Sequence, residues 1–302
     1  MLSFLAHRSL HSLIVLFVMS FIIYGLIGLM PGDPVDLMIS ADPDITSEDA
    51  IRLRAIYGLD QPLWSRYLHW LGAALTGDFG YSRLYAQPVW DVIIPALGNT
   101  LGLLISSLTL ALVIALPAGI FAATRPYSLS DYGINLAAFA GISIPPFWLG
   151  ILLILLFAVT LGWFPAGGTA DAGGATALWD RLQYLILPVA SLTIAGIGGH
   201  TRYMRASMIE TLRQDYIRTA RAKGLSESRV VLGHALRNAM IPVVTVIALD
   251  LGVLFSGALI TETVFAYPGM GKLIFDAIMG NDYNLALVGL LLATALTLIG
   301  NL

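Results

Sequence analysis

Cysteine is absent from the 302 residues, and charged residues are scarce. Without a thiol the chain has no disulfide, no cysteine nucleophile and no cysteine-based metal site. Only 12% of the residues are charged and 57% are hydrophobic, with a mean hydropathy of +0.81. Soluble domains carry about 25% charged and about 45–50% apolar residues. The composition therefore predicts an integral membrane protein.

Side chains arranged for catalysis are also missing. The five histidines include no His-Glu-x-x-His pair, and no metal-ligand spacing is evident. One glycine-rich turn, 268–273, faintly resembles a nucleotide loop, but Gly271-Lys272 is followed by Leu273 where serine or threonine is required. We expect no enzymatic activity, no metal or catalytic residues and no ATP site in this chain.

Six apolar runs are long enough to cross a bilayer, whose core of about 30 Å needs roughly 20 helical residues. They cover 13–30, 95–123, 132–161, 184–200, 241–264 and 285–302. The first run could be a secretory signal, but it is longer than a usual signal core. It also ends in 30–34, a Pro- and Asp-containing stretch, and not at a small-residue cleavage site. We therefore expect an uncleaved span.

The runs predict an all-α fold with six transmembrane helices. By sequence it divides into a head with the first span (1–30), an outer insert (31–95) and a core of five spans (96–302). An apolar stripe at helical spacing indicates an amphipathic helix on or near the bilayer surface within the insert. The stripe is formed by Trp64, Leu68, Leu71 and Leu75. The glycine-rich stretch 77–80 then ends that helix.

Pro145 and Pro146 interrupt the third run, and adjacent prolines remove two helical N–H donors. We expect an interfacial helix before them and the membrane span after them. Orientation follows the distribution of Lys and Arg. With a cytoplasmic N-terminus, the inner loops hold ten of these residues and the longer outer loops hold six. Six spans with both ends in the cytoplasm are the consistent topology.

Half of the 16 Lys and Arg lie in residues 202–242, the basic loop. A generic inner loop attracted to anionic lipid explains this charge but not the helical pattern. The pattern predicts one stripe at four-residue spacing, formed by Met208, Leu212, Tyr216 and Ala220. Gly224 then suits a helix end, and Ser226 can cap a second helix. Two helices joined by a glycine turn indicate a rigid docking element for a partner protein.

Two acidic residues of the fifth run require an explanation. Asp250 lies nine residues into the run, about 13 Å deep at 1.5 Å per residue. An ionised carboxylate is costly there, so it should face a water-filled path, find a partner or be protonated. A structural role against another helix and a place on a path both stay open. Glu262 is expected at the outer membrane face, in contact with water.

The basic loop also carries a recognisable pattern. Its segment 215–226, followed by 234–239 and Ile241-Pro242, resembles the EAA loop of permease subunits of bacterial ABC importers. More narrowly, it is similar to the first of the two paired permeases in dipeptide, oligopeptide and nickel importers. Further matching stretches are 30–34, 57–62, 77–82, 141–145, 262–265 and 268–271.

Ala220, Gly224 and Leu236 keep the general EAA pattern. The departures, which look like the peptide-permease variant, are Arg218, Thr219, His234 and Arg237. Asp250 stands where a neutral residue is expected, which leaves a substrate-related role open. Members of the family usually continue past the last span with a short basic tail, so further chain is expected beyond residue 302.

The resemblance implies a multi-pass protein of the bacterial inner (plasma) membrane, with a cytoplasmic N-terminus and a periplasmic insert. The implied partners are a second homologous permease, two ATP-binding subunits, a periplasmic or lipid-anchored substrate-binding protein and membrane lipid, with no nucleic acid. ATP and Mg would be bound by the partner subunits, and no cofactor by this chain.

The resemblance also implies which residues carry the function. The residues implied in docking an ATP-binding subunit are Tyr216, Arg218, Ala220, Arg221, Lys223, Gly224, Leu225 and Ser226. Asp250 is a candidate for the translocation path. The alternative hypothesis is a secondary carrier that uses Asp250 as a proton site and transports without an ATPase partner.

Overall fold

A computed structural model describes residues 2–29, 35, 46–56, 60–169 and 178–300. The helices, in chain order, are α1 (Leu2–Gly28), α2 (Ser47–Ile56), α3 (Leu63–Leu75), α4 (Val89–Thr124), α5 (Leu129–Ser143), α6 (Pro146–Leu153), α7 (Leu178–Leu212), α8 (Asp215–Ala222), α9 (Glu227–Arg229), α10 (Leu236–Val264), α11 (Met270–Met279) and α12 (Tyr283–Gly300). Wider π-helical turns follow α6 (Ile154–Thr160) and precede α10 (Val230–Ala235). The helical fold class is confirmed. The motif stretch 30–34 and residues 57–59 lie outside the described residues.

Five of the described helical segments are long and apolar enough to cross a membrane. They are Ala6–Gly28, Val89–Thr124, Trp179–Leu212, Glu227–Asp250 and Tyr283–Gly300. A sixth results if α5 and the segment Pro146–Thr160, which are bent by 97°, form one broken span. The break lies at the predicted proline pair, with Pro146 in the first turn of α6, where no N–H partner is needed. By length and composition, the described helices are those of a multi-pass membrane protein, while the count of six stays a prediction.

The chain forms two compact units, one of residues 1–99 and 269–302 and one of residues 100–268. In the first unit, the apolar core is built from α1, the start of α4, α11 and α12. Helix α3 packs on α1 through Tyr67, which is buried and whose hydroxyl lies 2.8 Å from that of Ser20. Trp64, Leu68 and Leu75 of the predicted stripe are exposed, as expected for an amphipathic helix whose apolar side meets lipid.

A short hairpin in the first unit was not predicted. Strands β1 (Tyr81–Ser82) and β2 (Gln87–Pro88) pair antiparallel, after Gly77 and Gly80 have turned the chain with positive φ. The buried carboxylate of Asp282 holds the hairpin in place. It accepts hydrogen bonds from the Ser82 hydroxyl at 2.5 Å and from the Leu84 N–H at 3.0 Å.

In the second unit, α7 packs against both α5 and α10. The two helices α7 and α5 approach closely at Gly198, where an added Cβ would lie 2.3 Å from the Ala138 carbonyl oxygen. A residue without a side chain lets two membrane helices approach this closely. The same helices are joined by an ion pair, in which Arg205 donates two hydrogen bonds of 2.6 Å to Asp131. The hydroxyl of Ser207 ties α7 to α10 through the Ala239 carbonyl oxygen at 2.7 Å.

Candidate functional site

The basic loop begins as a continuation of a membrane helix. Helix α7 extends to Leu212, so the first part of the basic loop belongs to the same continuous helix as the fourth span. The chain then turns at Gln214, which is extended (φ −70°, ψ 150°), and α8 begins at Asp215. The predicted continuous stripe is therefore wrong, because this turn places Tyr216 and Ala220 on a different helix from Met208.

Helix α8 is anchored by two side chains. Ile217 is fully buried and Ala220 is 5% exposed, and both belong to an apolar cluster with Met204 and Met208 of α7. Tyr216, predicted to share the apolar stripe, is 41% exposed. Sequence reasoning missed Ile217, although its spacing of three residues from Ala220 was a usable signal.

Helix α8 ends at Ala222, just before Gly224, as the sequence predicted. Gly224 has φ +76°, a left-handed conformation that favours glycine, and its N–H donates to the Arg221 carbonyl oxygen at 2.9 Å. Ser226 precedes the next helix as predicted, but its side chain makes no capping hydrogen bond and instead lies 3.4 Å from the Ser228 hydroxyl. The capping role is therefore wrong. That helix, α9, leads through the π-helical turn into α10.

Charged and polar side chains tie α8 to the following segment. Arg221 donates to both carboxylate oxygens of Glu227, with distances between 2.6 and 3.1 Å. This hydrogen-bonded carboxylate raises the pKa of the Arg221 guanidinium. The Tyr216 hydroxyl accepts a hydrogen bond of 2.9 Å from the Asn238 amide of α10. Neither Glu227 nor Asn238 was predicted from the sequence to hold α8.

The predicted docking residues fall into an outer and an inner set. Those exposed around α8 and its following turn are Tyr216, Arg218, Arg221, Lys223, Gly224 and Ser226. Leu225 is half-buried, and Ala220 points into its own chain. The structure thus presents a compact surface with several positive charges, hereafter the coupling surface, whose inner side is fixed to α7 and α10.

Asp250 has a partner on the neighbouring helix. Its carboxylate lies 3.6 Å from Nε2 of His200 on α7. The His200 side chain is 6% exposed, whereas the Asp250 side chain is 44% exposed. Asp250 is therefore both held against another helix and open on one side, and sequence reasoning did not predict its pairing with His200.

Glu262 was expected to be in contact with water, but the structure buries it. It is fully buried, and the Thr100 hydroxyl of α4 donates to its carboxylate at 2.5 Å. The chain folds back directly after α10, and the Tyr267 N–H donates to the Glu262 carbonyl oxygen at 2.8 Å. The expectation that Glu262 is solvated was wrong. The chain reversal that covers its carboxylate produces no repeating pattern in the sequence, so it could not be predicted from periodicity. Among the described residues, no group of three or more His, Asp or Glu is arranged to hold a metal ion.

Comparison with protein families gives two matches that together cover the chain except for residues 105–114. The family described as "Binding-protein-dependent transport system inner membrane component" matches residues 115–302. The corresponding N-terminal family matches residues 1–104.

Individual relatives extend this likeness. The oligopeptide transport system permease protein AppB of Bacillus subtilis is 41% identical, over all of this chain and 95% of that protein. The di/tripeptide transport system permease protein DppB of Pseudomonas aeruginosa is 39% identical, over 100% of this chain and 95% of that protein. The dipeptide transport system permease protein DppB of Escherichia coli K12 is 37% identical, over 92% of this chain and 88% of that protein.

A solved structure shares the fold. An inward-facing form of the MetNI methionine ABC transporter aligns with a TM-score of 0.53 at 18% identity, over 69% of this chain and 92% of that chain. With the family matches, this confirms the resemblance to importer permeases. The alternative of a self-contained proton-coupled carrier is not supported.

Proposed function

The chain belongs to the family of inner-membrane components of binding-protein-dependent transport systems and is a permease subunit of an ABC importer, and we propose that it forms half of a translocation path for peptides. Relatives aligned over nearly their full length are named for oligopeptides, di- and tripeptides, and dipeptides. We expect the choice among these to reside largely in the substrate-binding protein that delivers the cargo.

The coupling surface is proposed to dock an ATP-binding subunit. Its exposed face carries Arg218, Arg221 and Lys223, whereas Ile217 and Ala220 hold the helix from inside. Ala220 would then act by fixing α8 and not by touching the partner. This division of the helix into an anchored and an exposed face is the observation that carries the proposal. Because α8 is connected to α7 on one side and α10 on the other, its displacement would reach both helices.

The remaining partners follow from the same family membership. A second, homologous permease would complete the translocation path. Two ATP-binding subunits would bind ATP and Mg, so that this chain performs no hydrolysis itself. A periplasmic or lipid-anchored binding protein would meet the periplasmic insert, 31–95. The proposed topology has six spans, a cytoplasmic N-terminus and the basic loop facing the ATP-binding subunits, with the sequence divisions 1–30, 31–95 and 96–302.

Asp250 is proposed to face the translocation path. Its side chain is 44% exposed in the chain although it lies midway along the apolar helix α10. A half-open carboxylate at this depth is accommodated best beside a water-filled cavity.

A matched pair of glycines tests the docking proposal. Gly224 and Gly77 both have positive φ, at +76° and +90°, and an added Cβ meets nothing within 4 Å at either position. Gly224→Trp and Gly77→Trp therefore impose similar backbone strain without an internal clash. We expect only Gly224→Trp to lose the ATP-binding subunit, because only its side chain would stand in the docked interface.

The measurement is co-purification of the ATP-binding subunit with the tagged chain, together with peptide uptake into vesicles. Gly77→Trp should retain the ATP-binding subunit, and wild-type uptake should require ATP and persist when a protonophore collapses the proton gradient. Retention of the ATP-binding subunit and full uptake by Gly224→Trp would show that the coupling surface is misplaced. Uptake that needs the proton gradient, with no co-purifying ATPase, would overturn the importer mechanism.

A further inference from the structure

A small polar cluster lies between α7 and α10, well separated along both helices from the coupling surface. It consists of His200 on α7 and Asp250 on α10. His200 Nδ1 is buried and has no hydrogen-bond partner within the described part of the chain. Buried polar atoms are nearly always paired, so an unpaired nitrogen on the side chain that contacts a carboxylate indicates a site that is completed by something else.

The carboxylate itself has spare capacity. The contact between His200 Nε2 and Asp250 Oδ2 measures 3.6 Å, which is longer than a hydrogen bond. An ionised carboxylate has about four lone-pair sites, and this contact satisfies none of them fully. Because the side chain is 44% exposed, a molecule moving along the open side of α10 can reach it.

The apolar surroundings of Asp250 favour a positively charged molecule. Asp250 is preceded by exposed Leu249, and the stretch from Ile241 to Asp250 carries no other charged residue. A lone negative charge on an apolar wall attracts cations and repels anions, since few polar groups screen it. His200 contacts the carboxylate from α7 on the side away from the open face.

We propose that Asp250, positioned by His200, forms a subsite on the translocation path for the ammonium groups of a passing peptide. The inference rests on the proposed function, because the ligand is the proposed cargo. An ammonium group donates up to three hydrogen bonds, which matches an acceptor-only carboxylate. The half-exposed position keeps the attraction modest, as a path requires, since the cargo must also leave.

The test compares two tripeptides, Ala-Lys-Ala and Ala-Glu-Ala, in the complete importer reconstituted in liposomes with saturating binding protein. The measured quantity is the ratio of their initial uptake rates. The same binding protein serves every variant, so a change in this ratio reports on the permease. A general defect in folding or coupling lowers both rates and leaves the ratio unchanged.

Asp250→Asn should lower the lysine-to-glutamate ratio by about three- to tenfold, because it removes a charge-assisted hydrogen bond. Asp250→Glu should keep the ratio near the wild-type value. His200→Gln should lower it by a smaller factor, as expected for a positioning residue. Asp180→Asn, at an acid in the first turn of α7, is the matched control and should leave it unchanged.

The exchange of the two side chains, His200→Asp with Asp250→His, separates this role from a structural one. A subsite is not restored by the exchange, because the carboxylate moves to the buried position on α7. Equal loss of both peptides in Asp250→Asn, restored by the exchange, would show an interhelical tie only. Equal loss with dissociation of the second permease would assign Asp250 to that interface.

An unchanged ratio in Asp250→Asn with normal uptake would also overturn the subsite. Absence of uptake of either peptide by the wild-type importer, with ATP hydrolysis intact, would instead refute the proposed peptide function. The two failures are thereby distinguishable.

Discussion

Replacing Asp131 by asparagine removes one side of the ion pair that joins α5 to α7. The Asp131 side chain is 3% exposed, and both of its oxygens accept hydrogen bonds of 2.6 Å from Arg205. The Tyr127 N–H and the Asn135 amide donate to the same carboxylate at 2.9 and 2.7 Å. An asparagine amide keeps one acceptor oxygen and turns an N–H₂ group toward these donors. At least one of them is then left without an acceptor.

The expected loss can be bounded from this geometry. Removing one partner of a buried ion pair costs about 3–5 kcal/mol, because the other charge is left uncompensated. Arg205 is 23% exposed, so water can reach part of its guanidinium. We therefore expect a loss near the lower bound, about 3 kcal/mol of unfolding free energy. Replacing both residues, Asp131→Leu with Arg205→Met, should recover most of it, since no charge stays buried.

The assay is thermal unfolding of the purified protein in detergent, followed by tryptophan fluorescence. The midpoint of Asp131→Asn should fall by several degrees. Asp215→Asn breaks the exposed pair with Arg218, whose side chains are 95% and 75% exposed, and should leave the midpoint unchanged. The reasoning is refuted if the double variant is as destabilised as Asp131→Asn, because the loss then does not come from an uncompensated charge.

Three further predictions concern other contacts of the chain. Ile217→Ala should destabilise the attachment of α8 by about 2–4 kcal/mol, since the side chain is fully buried, and speed protease cleavage in the basic loop. Cleavage at the wild-type rate would contradict its anchoring role. Thr100→Val should cost about 1–3 kcal/mol in thermal unfolding, because it removes a hydroxyl donor from the buried carboxylate of Glu262; Thr100→Ser, which keeps the hydroxyl, should cost less. Asp282→Ala should loosen the β1–β2 hairpin, seen as faster amide exchange there, while co-purification of the ATP-binding subunit is unchanged.

Sequence patterns predicted the helical elements well because the bilayer imposes a strong rule on composition. A span must be apolar for about 20 residues, so the runs stand out without knowledge of their neighbours. The break at Pro145-Pro146 and the stop at Gly224 were predictable for a similar local reason. Proline removes an N–H donor and glycine adopts positive φ wherever they occur.

The failures involve features that depend on contacts distant in sequence. Nothing local shows that the chain reverses after α10, so Glu262 was placed in water when it is buried beside Thr100. The pairing of His200 with Asp250 joins residues on separate helices and has no sequence period. The Asp282 carboxylate binds a hairpin 200 residues earlier in the chain.

Within the basic loop, the error was to treat two helices as one continuous helix. Four-residue spacing from Met208 to Ala220 satisfied a helical period, yet Gln214 is extended and divides the segment. A hydrophobic period that is measured over a longer window does not detect a two-residue break between helices. The charged residues Arg218, Arg221 and Lys223 are exposed, and solvated side chains need no specific neighbour.

The close contact at Gly198 divides α7 into two unequal arms. Helix α7 has 35 residues, and at 1.5 Å per residue Gly198 lies about 21 Å from Leu212 and about 30 Å from Leu178. If α7 rocks about this contact with α5, a shift of about 2 Å beside the coupling surface becomes about 3 Å at the far end, in the opposite direction. A small push on one side of the membrane would thus open or close a larger gap on the other.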